Sequence, residues 1–253
     1  MQIDGPAITP TEVSFPCGGN DLAGFLFVPE GDGPVPCLVD NHGSQLPPGT
    51  SDLSHPQTAA FFMSLGYAYL FPHRAGYGNS SGTKLAEEVT APRGTPDHDT
   101  QMVGRMEREN QDVIAALDYL TTRPDIDADR IAVMGSSLGG IHTLLALARD
   151  KRWRCGLDFS GGASQWKDHP KLRQMLLDAA TALTAPVCLI QPENDFNTAP
   201  TEKISALLAE LGKLHEAAIF PKWGTDGAES HRFCAVGHQI WGPKVASFLE
   251  KYM

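Results

Sequence analysis

The pentapeptide GSSLG at residues 135–139 stands between a short apolar run and a stretch with helical spacing. The apolar run, residues 131–134, predicts a buried strand, and residues 141–149 predict a helix. A Gly-x-Ser-x-Gly sequence between a strand and a helix is typical of a sharp turn that projects the central serine from the sheet edge. Its glycines permit the tight turn and the close approach of helix and strand. The pattern therefore predicts that Ser137 is a nucleophile at the positive end of a helix.

A candidate acid follows the serine along the chain. Residues 186–190 form another buried strand-like run, and the polar loop after it contains Asp195. Because a helical stretch follows, Asp195 falls on a strand-to-helix loop at the sheet edge that carries Ser137. An acid in that place can accept the imidazole N–H of a catalytic histidine. The alternative is a turn-forming aspartate, and Glu193 and Asp158 rank below Asp195 as acids.

Two histidines are candidates for the base. His231 and His238 both lie between the last strand-like run, residues 217–221, and the last helical stretch, residues 243–252. The chain order serine, acid, histidine fits either of them. Spacing alone does not decide which of the two histidines is the base.

Longer segments add a resemblance to a known family. They are NHGSQLPPG, FPHRAGYGNSSG, RIAVMGSSLGG, LIQPENDFNTAP, ESHRF and GHQIWGPKVASFL, and together they run from about residue 42 to residue 249. In their order and spacing they resemble the dienelactone-hydrolase-like branch of the α/β-hydrolase superfamily, as a member with a serine nucleophile. The resemblance implies that the base is the histidine of an H-x-F element, which is His231, and that His238 is a rim or surface residue.

The same resemblance implies an oxyanion hole made by two backbone N–H groups. One belongs to Leu138, the residue after the nucleophile, and the other to Ser44 in the loop after the first central strand. Gln45 is a near alternative, and His42 is expected to support this loop. True dienelactone hydrolases differ in using a cysteine nucleophile with an extra acidic residue. Because Ser137 needs a base to remove its proton, we expect hydrolysis of ordinary esters through an acyl-enzyme and not of dienelactone.

The overall pattern predicts one α/β domain of 253 residues. From about residue 35, strand-like runs alternate with helical ones, which indicates a mostly parallel sheet with helices on both faces. Residues 11–15 and 22–28 predict an antiparallel hairpin at the sheet edge. These features agree with the α/β-hydrolase fold that the resemblance implies.

The composition of the chain limits the classes of partner and the cellular location that are expected. A formal net charge of −10 argues against nucleic-acid binding, which requires a basic surface. No apolar run is long enough to span a membrane and no signal peptide is visible, so a cytoplasmic location is expected. The five cysteines are scattered without paired spacing and are interpreted as small buried hydrophobic residues. The expected partner is a small-molecule ester, with no cofactor, and the oligomeric state is left open, a homodimer included.

Several residues near the predicted sheet edge are candidates for the substrate pocket, although aromatic residues in such places pack structurally about as often. They are Gln45, Tyr77, Trp166, Phe196 and Trp223.

The longest irregular stretch, residues 79–105, is polar and contains prolines. A loop of this length is interpreted as a partial lid over the pocket or as a plain surface segment, with no large lid domain elsewhere. Within it, Asp97, His98 and Asp99 contain metal-ligating groups, but three adjacent residues do not readily converge on one ion. We therefore predict no metal site.

Taken together, these patterns favour a serine carboxylesterase that acts on small or medium soluble esters. A thioesterase or a peptidase with the same triad is the nearest alternative. A non-catalytic binding protein of this fold is less favoured, because such proteins usually lack a member of the triad.

Overall fold

The computed structural model describes residues 9–31, 33–47 and 55–253. Within them, one mixed sheet of eight strands has the order β1-β2-β4-β3-β5-β6-β7-β8. The strands are β1 (Thr11–Cys17), β2 (Asn20–Phe27), β3 (Val35–Asn41), β4 (Ala68–Pro72), β5 (Ile126–Ser136), β6 (Gly156–Phe159), β7 (Val187–Pro192) and β8 (His215–Phe220). The helices are α1 (Pro56–Ser64), α2 (Leu85–Glu88), α3 (Pro96–Thr121), α4 (Leu138–Arg149), α5 (Pro170–Ala182), α6 (Ala199–Glu210), α7 (Gly227–Ser230), α8 (Phe233–Val236) and α9 (His238–Tyr252).

The edge of the sheet is antiparallel and the rest is parallel. β1 and β2 pair as a hairpin in which Cys17 lies opposite Asn20, and β2 pairs antiparallel with β4. The two turn residues, Gly18 and Gly19, have φ of +55° and +86°, which is the backbone that a tight two-residue hairpin turn requires. From β4 to β8 every pairing is parallel. The predicted hairpin and the predicted mostly parallel sheet are thus confirmed.

Helices cover both faces of the sheet. Met106 of α3, Leu144 of α4 and Leu208 of α6 belong to the hydrophobic core on one face. Phe62 of α1 and Trp241 of α9 belong to the core on the other. Strand side chains alternate between these two cores, as the period of two in a strand requires. The carboxyl ends of the parallel strands therefore converge at one edge, where α/β sheets place their ligands.

The segment 79–105 is not irregular throughout, because α3 begins at Pro96. Thr95 caps this helix by accepting a hydrogen bond from the backbone N–H of His98 at 3.2 Å. The buried face of α3 includes charged residues, among them Arg105 and Glu109. These charges interrupt the apolar periodicity that would have marked the helix in the sequence.

The described helices include none that is both long and apolar enough to cross a bilayer.

Candidate active site

Ser137 occupies a sharp turn between β5 and α4. Its φ of 59° and ψ of −116° lie in a region that non-glycine residues rarely adopt. The turn is held on both sides, since the N–H of Ser137 donates to the carbonyl of Phe159 and its carbonyl accepts from the N–H of Ile141. Strain of this kind persists only when surrounding structure imposes it, and it concentrates at functional sites.

The glycines around the serine are required by packing. A Cβ added at Gly139 would overlap the carbonyl oxygen of Asn41, and one at Gly135 would overlap the backbone of Gly139. The helix therefore approaches β3 and β5 so closely that a side chain at either position has no room. This contact places Ser137 at the carboxyl edge of the central strands.

Asp195 and His231 are brought together from two separate loops. His231 Nδ1 lies 2.8 Å from Asp195 Oδ1. Asp195 Oδ2 accepts a hydrogen bond of 3.0 Å from Gln191, and the N–H of Phe196 donates to Oδ1 at 2.6 Å. Burial alone would raise the pKa of Asp195, but the hydrogen bond and charge of His231, with further hydrogen bonds from Ser160 and Gln191, hold it below its usual value. The carboxylate is thus ionised where it can orient the imidazole.

Asn194 connects the loop of Asp195 to the segment that carries His231. Its side chain donates to the carbonyl of Trp223 and accepts from the N–H of Trp223, both at 2.9 Å, and also accepts from Ser230 Oγ at 3.0 Å. Asn194, which immediately precedes Asp195, therefore fixes the position of Ser230, which immediately precedes His231. Sequence reasoning missed Asn194, because an Asn in a strand-end loop is typical of an ordinary turn.

His231 shares a cavity with Ser137. Its Nε2 is buried and has no hydrogen-bond partner among the described residues. With Nδ1 bound to Asp195, Nε2 is the nitrogen left to exchange a proton with a serine hydroxyl, and this contact often tightens only when substrate binds.

His238 lies elsewhere. It is the first residue of α9, and its ring centroid is 6.4 Å from that of Phe61. It is not among the residues that line the cavity of Ser137. Of the two candidate bases, the structure brings His231 to Asp195.

The two predicted oxyanion donors, the N–H groups of Leu138 and Ser44, belong to residues beside Ser137 and its cavity. Leu138 is the first residue of α4, so its N–H has no acceptor within the helix. Gly43 packs against the turn, since a Cβ added there would lie 3.5 Å from Ser137 Cβ. Ser44, the next residue, lines the cavity.

His42 orients the peptide bond that precedes Ser44. Its Nε2 accepts from the N–H of Arg74 at 3.1 Å, which leaves the proton on Nδ1 to donate to the carbonyl of Gly43 at 2.7 Å. Burial and the charge of Arg74 hold the pKa of His42 well below its usual value, so the ring stays neutral. In a trans peptide the N–H points opposite to the C=O. By holding the carbonyl of Gly43, His42 therefore directs the N–H of Ser44 away from itself.

A buried cluster of charged residues supports the loop that contains Gly43 and Ser44. Glu109 of α3 contacts Arg74 Nε at 2.8 Å, Arg105 Nε at 2.5 Å and His142 Nε2 at 2.9 Å. Burial alone would raise the pKa of Glu109, but Arg74, His142 and Arg105 hold it well below its usual range. The guanidinium of Arg74 also reaches the carbonyl of Gly43 at 3.5 Å. Sequence reasoning missed this cluster because Arg74 and His142 lie 35 and 33 positions from Glu109 along the chain.

The cavity has a volume of about 640 Å³, which suits a small-molecule ligand. Two of the predicted pocket residues, Gln45 and Phe196, line it. Phe196 is 52% exposed, and its ring centroid lies 4.8 Å from that of His231. The remaining lining residues are His42, Gly43, Ser44, Leu46, His55, Arg93, Ser136, Ser137, Ser164, Gln165, Ala228, His231, Arg232 and Ala235.

Tyr77, Trp166 and Trp223 are not among the lining residues, and their prediction as pocket residues is corrected by their packing. Tyr77 is buried with its ring 4.6 Å from that of His42 and beneath the guanidinium of Arg74. Trp223 packs on Phe233 with ring centroids 5.6 Å apart. Trp166 is buried and lines a separate depression between α5 and α6.

The segment 79–105 contributes one residue to the cavity, Arg93. Its guanidinium donates to the carbonyl of Ser164 at 2.7 Å.

His98 and Asp99 of this segment have structural contacts. His98 Nδ1 lies 2.8 Å from His169 Nε2, and Asp99 accepts from the N–H groups of Lys171 and Leu172 at the start of α5. In the part of the chain that the structure describes, no group of three or more His, Cys, Asp or Glu side chains is arranged to hold a metal.

Parts of the chain are similar in sequence to known proteins. Residues 53–169 match the Prolyl oligopeptidase family. Protein YtaP of Bacillus subtilis (strain 168) is 30% identical over 171 residues, which cover 63% of this chain and 54% of YtaP, so the chain spans about half the length of that relative.

Two solved structures share the fold over nearly the whole chain. An esterase of Pyrococcus furiosus has a TM-score of 0.72 at 18% identity and covers 98% of this chain and 92% of its own. A Klebsiella pneumoniae subsp. pneumoniae protein assigned as a dienelactone hydrolase has a TM-score of 0.70 at 17% identity and covers 97% of this chain and 100% of its own. The chain therefore has the α/β-hydrolase fold, which it shares with these two structures.

Proposed function

We propose that this protein is a serine hydrolase that cleaves carboxylic esters of small or medium soluble substrates. The observation that carries the proposal is the contact of His231 with Asp195, which leaves Nε2 of His231 unpartnered in the cavity that Ser137 lines. Nucleophile, base and orienting acid are the three roles that acyl transfer requires.

In the proposed mechanism, Ser137 Oγ attacks the ester carbonyl while His231 accepts its proton. The N–H groups of Leu138 and Ser44 stabilise the oxyanion, which is worth about 3–4 kcal/mol for a single donor in such sites. His231 then protonates the leaving alcohol, and an acyl-enzyme on Ser137 remains. Water, activated by His231, releases the acid and restores the hydroxyl.

The esterase of Pyrococcus furiosus supports an ester substrate by its fold. The match to the Prolyl oligopeptidase family favours a peptidase as the second candidate. Both reactions use the same triad, so the choice between them rests on the leaving group that the cavity accepts.

The decisive experiment measures hydrolysis of p-nitrophenyl esters from acetate to decanoate at pH 8 by the wild type and by Ser137→Ala. We expect kcat to fall by a factor of about 10³ or more in the variant. Ser64→Ala, which removes an exposed hydroxyl of α1, is the control and keeps wild-type rates. Equal activity in Ser137→Ala would overturn the mechanism, and cleavage of aminoacyl p-nitroanilides without ester cleavage would favour the peptidase.

A cytoplasmic location forms part of the proposal. Cys37, Cys155, Cys188 and Cys234 are free thiols buried in the core, as expected for cysteines that act as small hydrophobic residues in a reducing compartment.

A further inference from the structure

The cavity of Ser137 contains a second histidine–aspartate pair that the proposed mechanism does not use. His55, which precedes α1 and is 9% exposed, lines the cavity. Its Nδ1 lies 2.6 Å from Oδ2 of Asp40, a fully buried residue of β3. One histidine is enough for both proton transfers of an acyl-enzyme mechanism, so His55 is available for another task.

The position of the His55 ring is set by its surroundings. Tyr69 donates its hydroxyl hydrogen to the same oxygen of Asp40, which fixes that carboxylate in place. The ring of Phe71 packs edge-on against the imidazole at 5.6 Å. Because Asp40 Oδ2 accepts the Nδ1–H, Nε2 is the polar atom that His55 has left for a ligand.

Other residues that line the same cavity are polar as well. Gln165 lines it, and its Oε1 is buried without a hydrogen-bond partner among the described residues. Ser44, Gln45 and Ser164 also line the cavity. An alkyl chain in this space would cover these groups without pairing them, which is unfavourable for buried polar atoms.

We propose that His55, held by Asp40, and Gln165 form a hydroxyl-binding subsite, so that the preferred substrates are esters of hydroxylated acids or alcohols. A hydroxyl has one hydrogen to donate, either to the amide oxygen of Gln165 or to Nε2 of His55 when that nitrogen carries no proton. A carboxylate donates to neither of them. The inference rests on the proposed ester hydrolysis and names the substrate class for the same site.

Two matched substrate pairs test the subsite, one for each side of the ester bond. The alcohol side compares glycerol monoacetate with propyl acetate, and the acyl side compares methyl 3-hydroxybutyrate with methyl butyrate, each followed by pH-stat titration at pH 8. In at least one pair we expect kcat/KM to favour the hydroxylated ester by about tenfold or more, because the analogue leaves buried acceptors unpaired.

Two variants remove the acceptors while keeping the shape of the site. In His55→Asn the amide nitrogen can still donate to Asp40, but the acceptor Nε2 is lost, and Gln165→Leu removes Oε1 from a side chain of similar size. Each is expected to bring the preference down by about fivefold or more. Gln174→Leu, an exposed change on α5 outside the cavity, is the control and keeps the wild-type preference.

The outcomes separate the subsite from the proposed function. Equal rates within both pairs, a preference that survives in both variants, or a stronger preference for monomethyl succinate over methyl 3-hydroxybutyrate would overturn the subsite while ester hydrolysis stands. That last result would instead assign the selectivity to the exposed guanidinium groups of Arg93 and Arg232. If no ester is hydrolysed in a Ser137-dependent way, the proposed function itself fails. A lowered thermal midpoint of His55→Asn would indicate a folding defect. The substrate preference of Gln165→Leu would then be the test of the subsite.

Discussion

The two sides of the cavity are constructed differently. On the oxyanion side, His42 and Arg74 are 1% exposed and Glu109 is 2% exposed. On the base side, the His231 side chain is 16% exposed and the adjacent Phe196 is 52% exposed. The residues that support the oxyanion loop therefore belong to the protein interior, whereas the base itself lies near the surface.

On the oxyanion side, the residues that set the geometry of the site also stabilise the fold. On the base side, these two roles are largely separate. Arg74 and Glu109 position the loop before Ser44, and they are also a buried ion pair whose loss leaves an unpaired charge in the core. His231 is positioned by its hydrogen bond to Asp195 and by the contacts of Asn194. A change on the base side is therefore expected to affect catalysis far more than folding.

The largest effect is expected from His231→Asn. It removes the proton acceptor, so we expect kcat on p-nitrophenyl acetate to fall by about 10³-fold or more. Because His231 is near the surface, we expect the thermal midpoint to move by no more than a few degrees. Steady-state kinetics and calorimetry on the same sample measure both quantities.

His238→Asn is the matched control for this substitution. Its kcat is expected within about twofold of the wild type, because His238 lies outside the cavity. The reverse result, in which His238→Asn is inactive and His231→Asn is active, would refute the assignment of the base.

A smaller effect on rate, with a large effect on stability, is expected from Glu109→Gln on the oxyanion side. The variant leaves Arg74 and Arg105 without their buried counter-charge, which typically costs about 3–5 kcal/mol of unfolding free energy. We also expect kcat to fall by about tenfold, with KM little changed, because the oxyanion donor of Ser44 is displaced only in part.

Glu107→Gln, an exposed change on the same helix, is the control for both measurements. A fall in stability without any fall in kcat would show that the cluster acts only on folding. The oxyanion side would then not couple the geometry of the site to stability.

The smallest expected effect is a difference in pH dependence. Burial and the charge of Arg74 lower the pKa of His142 to about 4 in the folded protein. The unfolded chain protonates this residue near its ordinary value of about 6.5. As pH falls from 6.5 towards 4, the unfolded state therefore binds a proton that the folded state does not, and stability falls by about 1.4 kcal/mol per pH unit from this residue.

His142→Gln removes this contribution, so its thermal midpoint is expected to drop less than that of the wild type between pH 7 and pH 5. Asp158 acts in the opposite direction, because burial raises its pKa to about 7 and its contribution is lost as pH rises from about 3.8. The comparison of variant with wild type cancels the effect of Asp158. Parallel curves for the two proteins would show that His142 is not the source of the acid sensitivity.

Much of the fold was predictable because it depends on local patterns. The hairpin of β1 and β2 follows from alternating residues around two glycines, and the turn at Ser137 from glycines between a strand and a helix. The start of α3 was missed because Arg105 and Glu109 place charges on its buried face. Sequence patterns assume that buried faces are apolar, and this helix departs from that rule.

The aromatic residues show the other limit. Phe196 lines the cavity, whereas Tyr77, Trp166 and Trp223 pack away from it, although all four follow or adjoin strand ends. A loop residue's position along the chain does not determine which way its side chain points. That direction depends on neighbours from distant segments, such as His42 beside Tyr77 and Phe233 beside Trp223.

The amino-acid sequence was sufficient to predict the class of sheet, the hairpin at its edge and the turn that carries Ser137. Each of these features depends on residues that are adjacent or periodic along the chain. Tertiary structure alone decided that His231 and not His238 lies against Asp195, that Glu109 supports the oxyanion loop through Arg74, and that His55 and Gln165 share the cavity. These arrangements bring together residues that are tens to more than a hundred positions apart. Their distances depend on how strands and helices pack, which local propensity does not specify.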